Sequence, residues 1–286
     1  MGNRNTAFES WVEKHPYLRE VAQLQQVMAG VMKEHPDREP IDIKPASLER
    51  AIGRGIPVLR EIALDRWVIE EAANLFLSLA EALAVAKLPP KIVQGAEQIR
   101  SLLSKNPDLA GPLIGEVITA NRVISDHDSP DGEELDKDFT LFLAWIVLAR
   151  VLEPLKRKMT PSLTGRRWRR GYCPLCGQLP AMAQLVRTEK GRERLLSCSC
   201  CNMKWEYRRI GCPYCGNEDQ DTLKILEITE EPELRIDTCE KCRCYLKTYT
   251  AEGNEKVILA DWTTLHLDFI GKNQGFQRSG YQMYGV

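Results

Sequence analysis

Cysteine is absent from the N-terminal half of this chain, histidine occurs only four times, and neither sign of charge is in surplus. The 39 basic and 40 acidic side chains leave a formal charge of −1, whereas a nucleic-acid binder normally shows a clear basic excess. His15, His35, His127 and His266 are scattered, and His15 and His35 each precede a proline. With no glycine-rich phosphate loop, no zinc-protease His-Glu-x-x-His and no Gly-x-Ser-x-Gly elbow, nothing in the chain argues for an enzyme. Long hydrophobic runs are missing too. The longest, Phe139 to Leu152, contains Arg150 and falls short of the roughly 20 apolar residues that a membrane span takes. A central buried helix is the expected role. The opening MGNRNTAFESWVEKHP lacks the apolar core of a secretory signal, which points to a reducing, cytoplasmic setting.

What the chain does have is ten cysteines, all after position 172. Eight of them form the Cys-x-x-Cys pairs Cys173/Cys176, Cys198/Cys201, Cys212/Cys215 and Cys239/Cys242. The gaps within the two sets, Cys176 to Cys198 and Cys215 to Cys239, are close to zinc-ribbon spacing, and two facing knuckles supply four thiolates at tetrahedral corners. The unit is duplicated: the step from Cys173 to Cys212 nearly equals that from Cys198 to Cys239. Gly177 and Gly216 each follow a knuckle, where a tight turn asks for positive φ. Hairpins are expected between the pairs, from Ala181 to Cys198 turning near Lys190-Gly191, and from Thr222 to Thr238 turning at Glu230-Glu231-Pro232. Each set therefore reads as a small β module closed by one metal ion, with sequential rather than cross-braced pairing.

Other uses of cysteine fit less well. Disulfides need an oxidising compartment, a thioredoxin-like dithiol is usually a single pair at a helix start, and an iron–sulfur cluster fits ribbon spacing less well than one tetrahedral ion. Zinc and rubredoxin-type iron share the tetrathiolate geometry and are not separated by sequence. Cys200 and Cys244 are left over. They are either spare thiols for exchange, sulfur handling or redox sensing, or incidental residues packed beside the sites; the second is preferred, because free cysteine commonly behaves as a small buried hydrophobe.

The cysteine-free part reads as helical, with apolar periodicity from Tyr17 to Glu34 and from Arg60 to Ala86. Further helices are expected at Lys91–Leu103, Leu113–Ile124 and Glu134–Glu153, the last ended or kinked by Pro154. The fold class expected is α+β and multidomain: a helical domain over residues 1–165, then a tandem metal-binding domain over 166–286. Its modules cover about 166–209 and 210–250, followed by a C-terminal extension. One segment, TGRRWRRGY from Thr164 to Tyr172, is locally basic. Arg166, Arg167, Arg169 and Arg170 around Trp168 could track a phosphate backbone while the indole stacks on a base, or form a linker with a packed tryptophan. Residues 166–286 carry 19 basic and 16 acidic side chains, a surplus that two tetrathiolate divalent sites would cancel. Nucleic-acid binding is the alternative rather than the leading reading, and a thiol or redox protein is a third.

In order, WRRGYCPLCGQLP, CNMKWEYRR, CPYCG, CEKCRCYLKTY, DWTTLHLD and GFQRSGY resemble the formate dehydrogenase accessory protein family, FdhE. The most specific elements are the Cys-Pro-x-Cys-Gly-x-x-Pro of Cys173–Pro180 and the Cys-x-x-Cys-x-x-Tyr-Leu-Lys of Cys239–Lys247. The resemblance implies a cytoplasmic assembly factor with a rubredoxin-like double module that binds iron and contacts the catalytic subunit of formate dehydrogenase. It places the metal ligands on Cys173, Cys176, Cys198, Cys201, Cys212, Cys215, Cys239 and Cys242, and supplies no catalytic residue.

Overall fold

The computed structural model describes residues 5–35, 43–62, 64, 66–119, 135–165, 168–189 and 191–284. His127, Pro130, Glu134, Arg166, Arg167, Lys190 and the last residues of the helix expected at Leu113–Ile124 lie outside them. The chain groups into two compact units: one holds Met1–His15, Lys44–Glu61 and Met159–Val286, the other Pro16–Ile43 and Ile62–Lys158. The sequence reading divides the chain near position 165. The difference lies in residues 5–15, 44–61 and 159–165, which group with the cysteine-rich part.

In the helical unit, α2 (Arg19–Glu34), α5 (Arg66–Ala84), α6 (Pro90–Lys105), α7 (Ala110–Thr119) and α8 (Lys137–Val151) are the principal helices. Helix α5 lies at the centre and packs on each of the other four. Its Val68, Ala72, Leu75, Phe76, Leu79 and Leu83 recur at three- and four-residue intervals and are buried, each large side chain contributing about 1.5–3 kcal/mol. The helix expected over Arg60 to Ala86 is interrupted, because α4 (Val58–Glu61) precedes α5 as a separate turn. Helix α8 begins at a true cap: the Asp136 carboxylate accepts from the backbone N–H of Phe139 at 2.9 Å. From Phe139 to Ala149 nearly every side chain of α8 is buried, as expected of a helix apolar all round. The helix stops at Leu152, and α9 (Glu153–Leu163) follows with Pro154 in its first turn. No helix among the described residues is long and apolar enough to cross a membrane.

The other unit is built on one sheet of β1 (Pro180–Thr188), β2 (Gly191–Cys198), β3 (Lys204–Tyr207), β4 (Leu223–Glu227), β5 (Leu234–Cys239), β6 (Cys244–Tyr249) and the short β7 (Gln277–Arg278). Both expected hairpins form as antiparallel pairs, β1 with β2 and β4 with β5. The two modules share the sheet, in the order β3-β2-β1-β6-β5-β4. The joint is a parallel pairing of β1 with β6, Met182 opposite Lys247 and Gln184 opposite Tyr249.

Helices α10 (Glu255–Ile258) and α11 (Leu265–Asn273) cover the joint, and Met182, Ile236, Tyr245, Val257, Ile258 and Leu267 form the core beneath them. The N-terminal α1 (Asn5–Lys14) belongs here. Phe8 and Trp11 pack against that core, Phe8 stacks on Trp262 at 5.6 Å, and the Trp11 indole N–H donates to the Thr263 carbonyl at 2.9 Å.

The conspicuous C-terminal motifs converge on one buried charge network. Lys247 Nζ lies 2.7 Å from Asp261 Oδ1 and 2.8 Å from Asp268 Oδ2, and Arg278 Nη2 lies 2.7 Å from Asp261 Oδ2. The Tyr245 hydroxyl donates to Asp268 at 2.8 Å. Two cations against two carboxylates leave the cluster neutral, the condition under which buried charge is tolerated.

Candidate metal centres

Both knuckles use the same backbone turn. In the first, the Cys173 N–H donates to the Gln178 carbonyl at 2.8 Å and Gly177 N–H to the Cys173 carbonyl at 3.0 Å. In the second, Cys212 donates to Asn217 at 2.8 Å and Gly216 to Cys212 at 2.9 Å. Gly177 and Gly216 sit at φ +80° and +74°, the left-handed conformation that a side chain disfavours. The second arms are also alike: Asn202 and Arg243, each just past a cysteine pair, are the positive-φ non-glycine positions among the described residues, at +59° and +56°.

These turns gather the eight cysteines into two quartets with sequential pairing, Cys173/Cys176/Cys198/Cys201 and Cys212/Cys215/Cys239/Cys242, each with all its sulfurs within 4.8 Å of one another. Cys173 and Cys201 sulfurs lie 3.5 Å apart, Cys176 and Cys198 3.4 Å, Cys212 and Cys242 3.6 Å, and Cys215 and Cys239 3.8 Å. A tetrahedral ion with metal–sulfur bonds of about 2.3 Å sets its ligands roughly 3.8 Å apart, so both donor sets fit such an ion with little movement. Each quartet could hold one metal ion. Cys200 and Cys244 lie outside both. They are buried, in keeping with their reading as packed side chains, and the Cys200 N–H points at the Cys198 sulfur at 3.4 Å.

The quartets differ in cover. The first is buried throughout, whereas in the second Cys215 is exposed and Cys242 half-buried. Cover over the first comes from residues 44–61. Val58 and Leu59 donate their backbone N–H groups to the carbonyls of Pro174 and Leu175 at 2.9 and 3.0 Å. These N–H groups open helix α4 and have no partner inside it. Trp168, upstream of the first knuckle, is buried, and its indole donates to the Tyr172 carbonyl at 2.7 Å. Its ring is committed to packing, which removes the stacking platform from the nucleic-acid alternative.

Burial and hydrogen bonding to the sulfurs together set the electrostatics. Burial pushes the Cys173 and Cys176 thiols well above their ordinary range. Burial also raises Cys212, to about 11. At Cys239 burial acts upward, but N–H groups of Cys242, Asn217 and Lys241 aimed at the sulfur outweigh it and hold the thiol down at about 7. A divalent ion would supply the missing positive charge and deprotonate its four ligands outright. Beside the second quartet a cavity of about 240 Å³ opens among Arg194, Ile210, Pro213, Tyr214, Ile225 and Cys239. Ile210 and Ile225 at its edge are 49% and 51% exposed.

The structure also joins residues that look unrelated in sequence: His15, Glu231 and His266 meet at one point. No spacing rule finds them, because they come from three distant segments.

A sheet carrying two sequentially paired cysteine quartets, together with a helical unit, defines a protein of tandem rubredoxin or zinc-ribbon type. A family model described as FdhE, central domain, matches residues 172–209. The protein FdhE homolog of Aquifex aeolicus (strain VF5) is 24% identical over 271 residues, covering 94% of this chain and 88% of that one. The homolog from Rhizobium meliloti (strain 1021) is 25% identical over 279 residues, covering 94% and 83%. The crystal structure of the FdhE protein from Pseudomonas aeruginosa has the same fold, with a TM-score of 0.61 at 23% identity over 98% of this chain and 93% of that one. The chain is thus similar to FdhE proteins over most of its length, and the FdhE central-domain model matches the segment around the first quartet.

Proposed function

We propose that the protein is a cytoplasmic accessory factor for formate dehydrogenase that acts by binding the enzyme's catalytic subunit, and that it is not itself an enzyme. Its two quartets, Cys173/Cys176/Cys198/Cys201 and Cys212/Cys215/Cys239/Cys242, each hold one tetrathiolate ion, iron or zinc. The observation that carries this reading is the unequal exposure of the quartets within a chain similar to FdhE proteins. The covered quartet acts as a staple. Its ion ties the knuckle to the strands of the shared sheet and adds its binding free energy to folding. The open quartet borders an apolar-edged cavity, the kind of surface a partner chain covers. Ile210 and Ile225 are the anchors of that surface.

The test is capture of the tagged protein from its host under anaerobic conditions. The catalytic subunit should co-purify with the unaltered chain. Ile225→Glu should lower recovery at least tenfold while metal content and circular dichroism stay unchanged; Cys212→Ser should lose one ion and the partner together. Recovery of nucleic acid instead of the subunit, or capture unaffected by Cys212→Ser, would refute the reading.

A further inference from the structure

Away from the cysteines, His15 at the end of α1, Glu231 in the turn between β4 and β5, and His266 in the first turn of α11 present their donor atoms within 4.8 Å of one another. His15 Nε2 lies 3.0 Å from Glu231 Oε1 and His266 Nε2 lies 2.6 Å from Oε2. The imidazoles stack with ring centres 5.2 Å apart. All three side chains are 13–19% exposed, so the cluster is sheltered but reachable from solvent.

Two contacts of the His15 ring are the informative feature. Its Nδ1 lies 2.9 Å from the Trp11 carbonyl, which can only accept, so Nδ1 carries a proton. Its Nε2 faces an ionised carboxylate, which also only accepts. A neutral imidazole has one N–H and cannot serve both. A cation standing between Nε2 and Glu231 would let Nδ1 keep its proton while Nε2 serves as a ligand. A metal-bound histidine characteristically donates its other ring nitrogen to a backbone carbonyl, which fixes the tautomer and leaves the far nitrogen as the ligand. His15 and Trp11 have that arrangement, and Trp11 is itself held by Thr263.

We propose that His15, Glu231 and His266 form a third metal site, of mixed nitrogen and oxygen character, for a divalent transition cation of the zinc or ferrous class. Two imidazoles select such ions over magnesium or calcium, which prefer all-oxygen shells. Zinc bonds of about 2.0–2.2 Å to nitrogen and oxygen place donors roughly 3.3 Å apart, so the three side chains need only open slightly to admit the ion. Three protein ligands leave a coordination position for water or an exchangeable group, unlike the closed tetrathiolate shells. The site ties α1 to the β4–β5 turn and α11. It predicts that the full chain binds three ions of two chemical types.

The experiment is a cobalt(II) titration of the full-length protein after both cysteine quartets have been filled, followed by absorption spectroscopy and metal analysis. The unaltered chain should take up one further equivalent whose spectrum has weak ligand-field bands and no new thiolate charge transfer. The His15→Gln/His266→Gln double variant should bind that equivalent at least about 100-fold more weakly while keeping its cysteine-bound ions. Glu231→Gln, which retains the shape of the turn, should weaken it as well. Saturation of the unaltered chain at the two quartet ions would overturn the proposal. So would a third equivalent carrying thiolate bands, or one that persists in the double variant. The titration of the unaltered chain decides the matter even if the variants fold poorly.

Discussion

At the scale of single residues, close backbone approach decides as much as ligand chemistry. Gly171 precedes the first knuckle and abuts the second: a Cβ there would stand 1.8 Å from the Pro213 carbonyl oxygen. Backbone cannot swing aside as a flexible side chain would. Gly171→Ala should therefore destabilise the sheet unit by about 3 kcal/mol, at the upper end of overpacking costs, measured by denaturant unfolding of the metal-loaded protein. A midpoint unchanged from the parent would show that the two knuckles are not held against each other. The grouping of eight cysteines into two quartets was legible in the sequence because the spacing that tetrahedral coordination imposes is visible in it. The His15–Glu231–His266 convergence was not, because it depends on where three remote segments finish in space.

At the scale of elements, two glycines in helices of the same unit should respond in opposite directions. A Cβ added at Gly30, in α2, would meet no heavy atom within 4 Å, whereas one at Gly95, in α6, would come within 2.7 Å of the Phe139 ring. Gly30→Ala should stabilise by about 1 kcal/mol through helix propensity. Gly95→Ala should have that gain overridden by overpacking and be net destabilising by on the order of 1 kcal/mol. Thermal unfolding checks both signs, and Phe139→Leu should relieve the second. Helices α2, α5, α6 and α8 and both hairpins were readable because one buried face or a turn marks each. The assignment of residues 44–61 to the cysteine unit was not readable, since Val58 and Leu59 reach the first knuckle through backbone N–H groups that any sequence possesses. The parallel β1–β6 joint was hidden for a related reason, its strands being remote in sequence with no local turn to announce them.

At the scale of the whole molecule, the neutral network of Lys247, Asp261, Asp268 and Arg278 accounts for much of what is distinctive in the C-terminal sequence. Lys247 is completely buried, and Lys247→Met would leave two buried carboxylates against the single charge of Arg278. A loss of about 3–5 kcal/mol is expected, read as a lower unfolding midpoint with both quartets still loaded. Burial acts to raise the Asp261 pKa, but the charges of Arg278 and Lys247 prevail and lower it from 3.8 to about 2. A carboxyl depressed on folding stabilises above its unfolded pKa and loses that contribution as pH falls through the folded one. The network should therefore weaken between about pH 4 and pH 2. Comparison with Asp261→Asn isolates this acid limb, because release of metal from thiolates is common to both proteins. An identical acid limb in the two would remove Asp261 from the account.

The central claim is that two ions, each in a four-sulfur shell, hold the sheet unit together. X-ray absorption at the metal edge, on full-length protein purified anaerobically with its metal quantified, tests it most directly. The account predicts two ions per chain with shells of four sulfurs at about 2.3 Å, together with any nitrogen and oxygen signal from the third site. A folded protein with no metal, or with shells of nitrogen and oxygen alone, would contradict it.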